Sequence, residues 1–181
     1  MKPVFVDRLL GTGATPPADP GPAELAALIA GLGRPDWRLE LAWVEDAEMT
    51  ALNGRWRGRE VVTDVLSFSN LVDRGEGEPV LPCGVGGAAA DLWWEDGPEP
   101  PGLFAGEIVI APDFVTRRCA AEGWDLADEF ALLVVHGALH VLGWAHDTAD
   151  RTLAMRKLEG VFLADGGRGH PLLDGADPTA P

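Results

Sequence analysis

The stretch from Asp125 to Gly143 constrains the fold more than any other part of the chain. It reads Asp-Leu-Ala-Asp-Glu-Phe-Ala-Leu-Leu-Val-Val-His-Gly-Ala-Leu-His-Val-Leu-Gly. Asp125 suits the N-cap of a helix, because its carboxylate accepts from the free N–H groups of a first turn, and Gly143 suits a helix stop. Between them the predicted helix is apolar on nearly every side. Such a helix must be enclosed by protein, so the sequence predicts a layered domain built around it. At 181 residues the chain is long enough to supply the enclosure.

The flanking segments supply the layers. Residues 11–22 form a turn-rich lead-in to an amphipathic helix from about Ala23 to Leu32. Arg38 to Val44 alternates as a strand, and Glu45 to Asn53 is a short helix that starts with acids, where the helix dipole favours them. Thr63 to Ser69 is a second strand and Glu107 to Ala111 a third, the latter apolar enough to be buried on both faces. A helix from Pro112 to Glu122 has proline in its first turn, and a last helix opens at Thr148 or Asp150 and runs to about Leu163. The expected architecture is α+β: a small mixed sheet of about four strands, packed with about five helices, with the apolar helix at the centre. A single domain over residues 1–165 carries these elements. An acidic Gly- and Pro-rich insertion at 71–103 interrupts it, with a hairpin expected around Val80–Leu92 and Trp93-Trp94 as a hydrophobic clasp. Residues 166–181 read as a disordered tail containing a solvated His170.

Fourteen basic residues against 29 acidic ones give a net charge of −15. That excludes nucleic-acid binding by bulk attraction, though not a local basic groove. No apolar run reaches the length of a membrane span, and the start Met-Lys-Pro-Val-Phe-Val-Asp lacks a secretory h-region. A soluble, cytoplasmic protein with no membrane partner is expected. Cys83 and Cys119 are far apart and read as unpaired thiols of a reducing compartment.

Three of the four histidines fall within eleven residues: His136, His140 and His146. On a helix, His136 and His140 at i and i+4 leave the same face, about 6 Å apart along the axis, so two imidazoles can converge on one ion. Gly143 can take a positive φ and turn the chain back, which brings His146 round as a third ligand. Three neutral imidazoles leave a fourth position open, the hallmark of a catalytic rather than a structural site. The donor set favours Zn²⁺, and Ni²⁺ or Co²⁺ also fit it. Gly137 stands where the peptidase motif His-Glu-x-x-His carries its general base, which argues against ordinary zinc proteolysis.

His136-Gly-x-Leu-His140-x-x-Gly143-Trp-x-His146 resembles the signature His-Gly-x-Leu-His-Leu-x-Gly-Tyr-Asp-His of the YbeY family of bacterial endoribonucleases. Leu52-Asn-x-x-Trp56-Arg57, with Thr63-Asp64-Val-Leu-Ser67-Phe68 after it, resembles a second block of that family, and Gly106-Glu107-Ile-Val-Ile110 a third. The blocks keep their order across roughly residues 40–160. The departures are Ala145 for the usual Asp, Glu107 for Asp, and Trp56 and Trp144 for Tyr. Asp147 is a candidate to replace the missing acid in orienting the histidines.

The resemblance implies a zinc-dependent hydrolase of single-stranded RNA that acts with the ribosome, in maturation of the 16S rRNA 3′ end and in ribosome quality control. It matches Arg57 to the family's characteristic arginine, which suits gripping a phosphate and stabilising its developing charge. Arg55 and Arg59 flank it, and Trp56 supplies an aromatic face for a base. Ser67 either lines the cleft or satisfies a backbone group. Asp64, Glu107 and Asp147 are candidate bases, although the family tolerates Asn at the position of Asp64; attack by the substrate's own 2′-hydroxyl is the other route. Two other functions suit the same residues: a metal-stabilised ribosome-assembly factor without catalysis, for which the negative charge suits docking on basic ribosomal proteins, and a hydrolase of another bond such as a peptide. Trp124 is expected to staple the capped helix.

Overall fold

The computed structural model describes residues 6–7, 14–29, 32, 38–71 and 104–170. Cys83, the expected hairpin and Trp93-Trp94 lie outside them. The elements run β1 (Val6–Asp7), α1 (Pro22–Ile29), β2 (Arg38–Trp43), α2 (Asp46–Arg57), β3 (Val65–Ser69), β4 (Phe104–Ile110), α3 (Pro112–Glu122), α4 (Leu126–Val141) and α5 (Ala149–Asp165). Four strands form one mixed sheet in the order β1-β2-β4-β3. β1 and β4 pair parallel with β2, and β3 pairs antiparallel with β4 at the edge.

Side-chain alternation divides the sheet into two faces. Leu39, Leu41, Trp43, Ile108 and Ile110 join the main core beneath α4, with Leu25 of α1 and Met155 and Phe162 of α5. The intervening Ala42, Leu66 and Val109 face the other way and pack on Met49 of α2. α4 is enclosed as its composition demands: from Glu129 to Val141 every residue except His136 and His140 is buried. Trp43 packs edge-to-face on Phe130, centroids 6.0 Å apart, which fastens β2 to its first turns.

Two glycines let α4 lie unusually close to the sheet. A Cβ on Gly137 would stand 2.7 Å from Ile108 Cγ2 and 3.0 Å from Ser67 Oγ. One on Gly106 would meet the Phe68 carbonyl at 2.2 Å and Val141 Cγ1 at 2.8 Å. Ser69 Oγ donates to the Val141 carbonyl at 2.6 Å and ties the helix end to β3.

Several boundaries differ from those predicted. The two-residue β1 was not foreseen, because a pair of residues carries too little periodicity. α2 runs past Asn53 to Arg57 and stops at Gly58, whose φ of 68° directs its N–H back to carbonyls of the last turn. Asn53, read as a terminus, is instead buried and donates from its side chain to the Val61 carbonyl at 2.8 Å. β3 starts at Val65, after a bend at Asp64 whose Oδ1 accepts from the Val65 N–H at 2.8 Å and from the Thr63 hydroxyl at 3.0 Å. Asp125 caps α4 by accepting from the Asp128 N–H, and Thr148 caps α5.

Candidate metal centre

His136 and His140 project from the last turns of α4. Gly143, with φ of 91°, turns the chain so that His146 comes back over them. One ring nitrogen from each of His136, His140 and His146 lies within 4.8 Å of the others, a set able to hold a metal ion.

Their neighbours decide which nitrogen faces inward. His136 Nδ1 lies 2.8 Å from Oε1 of Glu159 on α5. His140 Nδ1 lies 2.8 Å from the Trp144 carbonyl. A carboxylate and a carbonyl only accept, so both Nδ1 atoms carry hydrogens, and in the neutral rings that bind a metal both Nε2 atoms present lone pairs. Those two Nε2 atoms are 3.0 Å apart. Two lone pairs at that distance repel unless a cation or a proton lies between them, so the donor chemistry fits a metal ion. His140 is also held neutral. Burial first, then the adjacent His136, push its pKa down to about 4, with His146 and Arg57 adding to the effect against the Trp144 carbonyl.

The histidines line a cleft of about 700 Å³ with Arg57, Asp64, Ser67, Arg118 and Trp124. Arg57, Ser67 and His140 also line a second cleft of about 630 Å³, with Trp56, Phe68 and Trp144. Arg57 thus stands on the lip between the two. Trp56 is 46% exposed, rests edge-to-face on Phe68 with centroids 5.6 Å apart, and lies under the Arg55 guanidinium. Because α2 is longer than expected, Arg55, Trp56 and Arg57 occupy its last turn rather than a loop, where cations suit the helix dipole. Arg55 and Arg59 line neither cleft.

Other expectations need correction. His170 is buried, not solvated, and its Nε2 lies 3.0 Å from Oε2 of Glu159. Asp147 pairs with Arg151 at 3.1 Å and orients none of the histidines; Glu159 and the Trp144 carbonyl do so. Asp64 is engaged by Arg118, which reaches Glu129 with its other nitrogen. Burial raises the Asp64 carboxyl, but the Arg118 guanidinium and the Thr63 and Val65 donors overcome it and hold the pKa below the usual carboxylate value. That leaves it a weak base. Glu107 follows the strand alternation opposite to Ile108, on the α2 side of the sheet, where it lines the second cleft with Arg57 and His140. Trp124 is 41% exposed under the Arg118 guanidinium at the cleft wall, rather than a staple beneath the helix. Ser67 lines both clefts, and it is Ser69 that satisfies a backbone carbonyl.

Sequence reasoning missed Glu159, His170 and Arg118. For Glu159 a signal existed: it sits in the stripe Met155, Leu158, Phe162 that α5 buries, and an acid amid such a stripe needs a partner.

Residues 26–167 match the family Endoribonuclease YbeY. An endoribonuclease YbeY of Paramagnetospirillum magneticum is 37% identical over 84% of both chains. One from Bartonella quintana is 33% identical over 69% of this chain and 65% of the relative, and one from Xanthomonas oryzae pv. oryzae 36% identical over 74% and 70%. The solution structure of TM1509 from Thermotoga maritima aligns over 88% of both chains at 18% identity, with a TM-score of 0.43. On the family match and the identities of these relatives, the chain belongs to the endoribonuclease YbeY family.

Proposed function

We propose that this chain is a zinc-dependent endoribonuclease that cuts single-stranded RNA in maturation of the 16S rRNA 3′ end and in ribosome quality control, in the cytoplasm beside ribosomal proteins. The observation that carries the reading is the convergence of three imidazoles beside Arg57, in a cleft whose lining also offers Ser67 and Trp124. Bound by His136, His140 and His146, with Ni²⁺ or Co²⁺ as substitutes, zinc supplies Lewis acidity toward a phosphoryl oxygen. The rest falls to the protein. Arg57 grips the phosphate and offsets charge as it develops in the transition state. Trp56 and Arg55 give a neighbouring base a face on which to stack, Arg59 adds positive charge, and Ser67 offers a hydroxyl to the same nucleotide. Among the described residues no helix is long and apolar enough to cross a membrane.

Peptide hydrolysis is disfavoured on packing grounds. Gly137 has no room for a side chain, so the helix carries no glutamate beside His136. The test is RNA cleavage by purified protein with elemental analysis, comparing wild type with Arg57→Ala and His140→Ala. Bound zinc with cleavage lost in both folded variants supports the mechanism. Equal residual cleavage in all three means a contaminating nuclease, and the non-catalytic assembly factor then leads.

A further inference from the structure

The segment after α5 is folded back with unexpected care. The Gly167 N–H bonds the Ala164 carbonyl and the Arg168 N–H the Leu163 carbonyl at 2.8 Å, with Gly167 at φ of 72°. Arg168 is then fixed by Glu24 of α1 and Asp128 of α4. The turn delivers His170 to the inner face of α5, where its side chain is 2% exposed and that of Glu159 5%. Glu159 divides its oxygens between two rings, Oε1 to His136 and Oε2 to His170. Since the carboxylate only accepts, His170 donates from Nε2.

We propose that His170 is a positioning residue of the metal centre: it holds Oε2 of Glu159, which fixes the plane in which Oε1 receives His136 Nδ1–H and so aims His136 Nε2 at the ion. A carboxylate held at one oxygen can pivot about that bond; one held at both cannot. Outer partners of this kind set ligand orientation and affinity. The inference rests on the metal-centre reading and is independent of the substrate. A purely structural His170 would merely pin the segment after α5 to that helix.

The test measures Zn²⁺ affinity of the full chain by chelator competition, with thermal melting of the metal-free proteins alongside. Glu159→Ala is expected to weaken zinc binding about 10–100-fold, and His170→Leu, which keeps volume but loses the donor, about tenfold. His170→Gln places an amide N–H near the lost Nε2 and is expected to bind zinc as wild type does. His170→Asn, one methylene short, stays weak and replaces the leucine variant should that one not fold. In the Glu159→Ala background, His170→Leu should add nothing further. The proposal is overturned by donor-less folded variants that bind zinc like wild type, or by a double variant whose loss is the product of the two single losses. Wild type that takes up no zinc, cobalt or nickel overturns both this proposal and the metal-centre reading.

Discussion

Replacing Gly137 by alanine sets two opposite effects against each other at one position. In a helix interior the change gains about 1 kcal/mol of propensity. The added methyl, however, meets Ile108 Cγ2 at 2.7 Å, Ile108 Cγ1 at 3.3 Å and Ser67 Oγ at 3.0 Å. Ile108 is fully buried and β-branched, and its strand is paired on both sides, so it has little freedom to turn away. Overpacking of such a site costs up to about 3 kcal/mol, which leaves a net loss of about 2 kcal/mol. For a chain of this size that lowers the melting temperature by about 6 °C. Urea unfolding of metal-free protein in chelator is the appropriate assay, because a bound ion would add its own stabilisation. A variant as stable as wild type, or more stable by the propensity gain, would refute the close-approach argument. It would also remove the packing reason for the absence of a glutamate after His136.

Arg118→Met leaves Asp64 and the buried Glu129 without their shared cation, and the expected loss near neutral pH is about 3 kcal/mol in urea unfolding. Asp64 is held below its ordinary 3.8, so its contribution is present above that value and is lost as pH falls through the lower folded one. The gap between wild type and variant should therefore narrow under acid, and a gap unchanged by acid would contradict the assignment. Burial raises Glu129 in both proteins and Arg118 pulls it back only in wild type, so Glu129 protonates first in the variant as pH falls and adds to the narrowing. His140, held at about 4 against an ordinary 6.5, takes up fewer protons folded than unfolded between those values. Metal-free protein should thus lose stability as pH drops across that window. NMR titration should find the His140 ring neutral until pH approaches about 4; titration near 6.5 would refute its burial beside His136.

What was legible in the sequence was what local periodicity encodes. The spacing of His136 and His140, the cap at Asp125 and the stop near Gly143 are properties of one helix, and the metal-binding set follows from them. The extent of α2 was not legible, because Gly54 and Gly58 are equal as letters and only the packing of Asn53 against Val61 distinguishes them. Arg118 and His170 were hidden for a stronger reason. Each is defined by a carboxylate on another part of the chain, and a tail rich in glycine gives no hint that it returns to a buried acid. That acid shows why the centre cannot be reduced to its three ligands. Glu159 is charged and nearly enclosed, a state that is unfavourable without donors, and its donors are His136 on one side and His170 on the other. Folding of the segment after α5 and preparation of the metal site are therefore parts of one network of hydrogen bonds, so a change at His170 should be felt at His136 although no ligand has been altered.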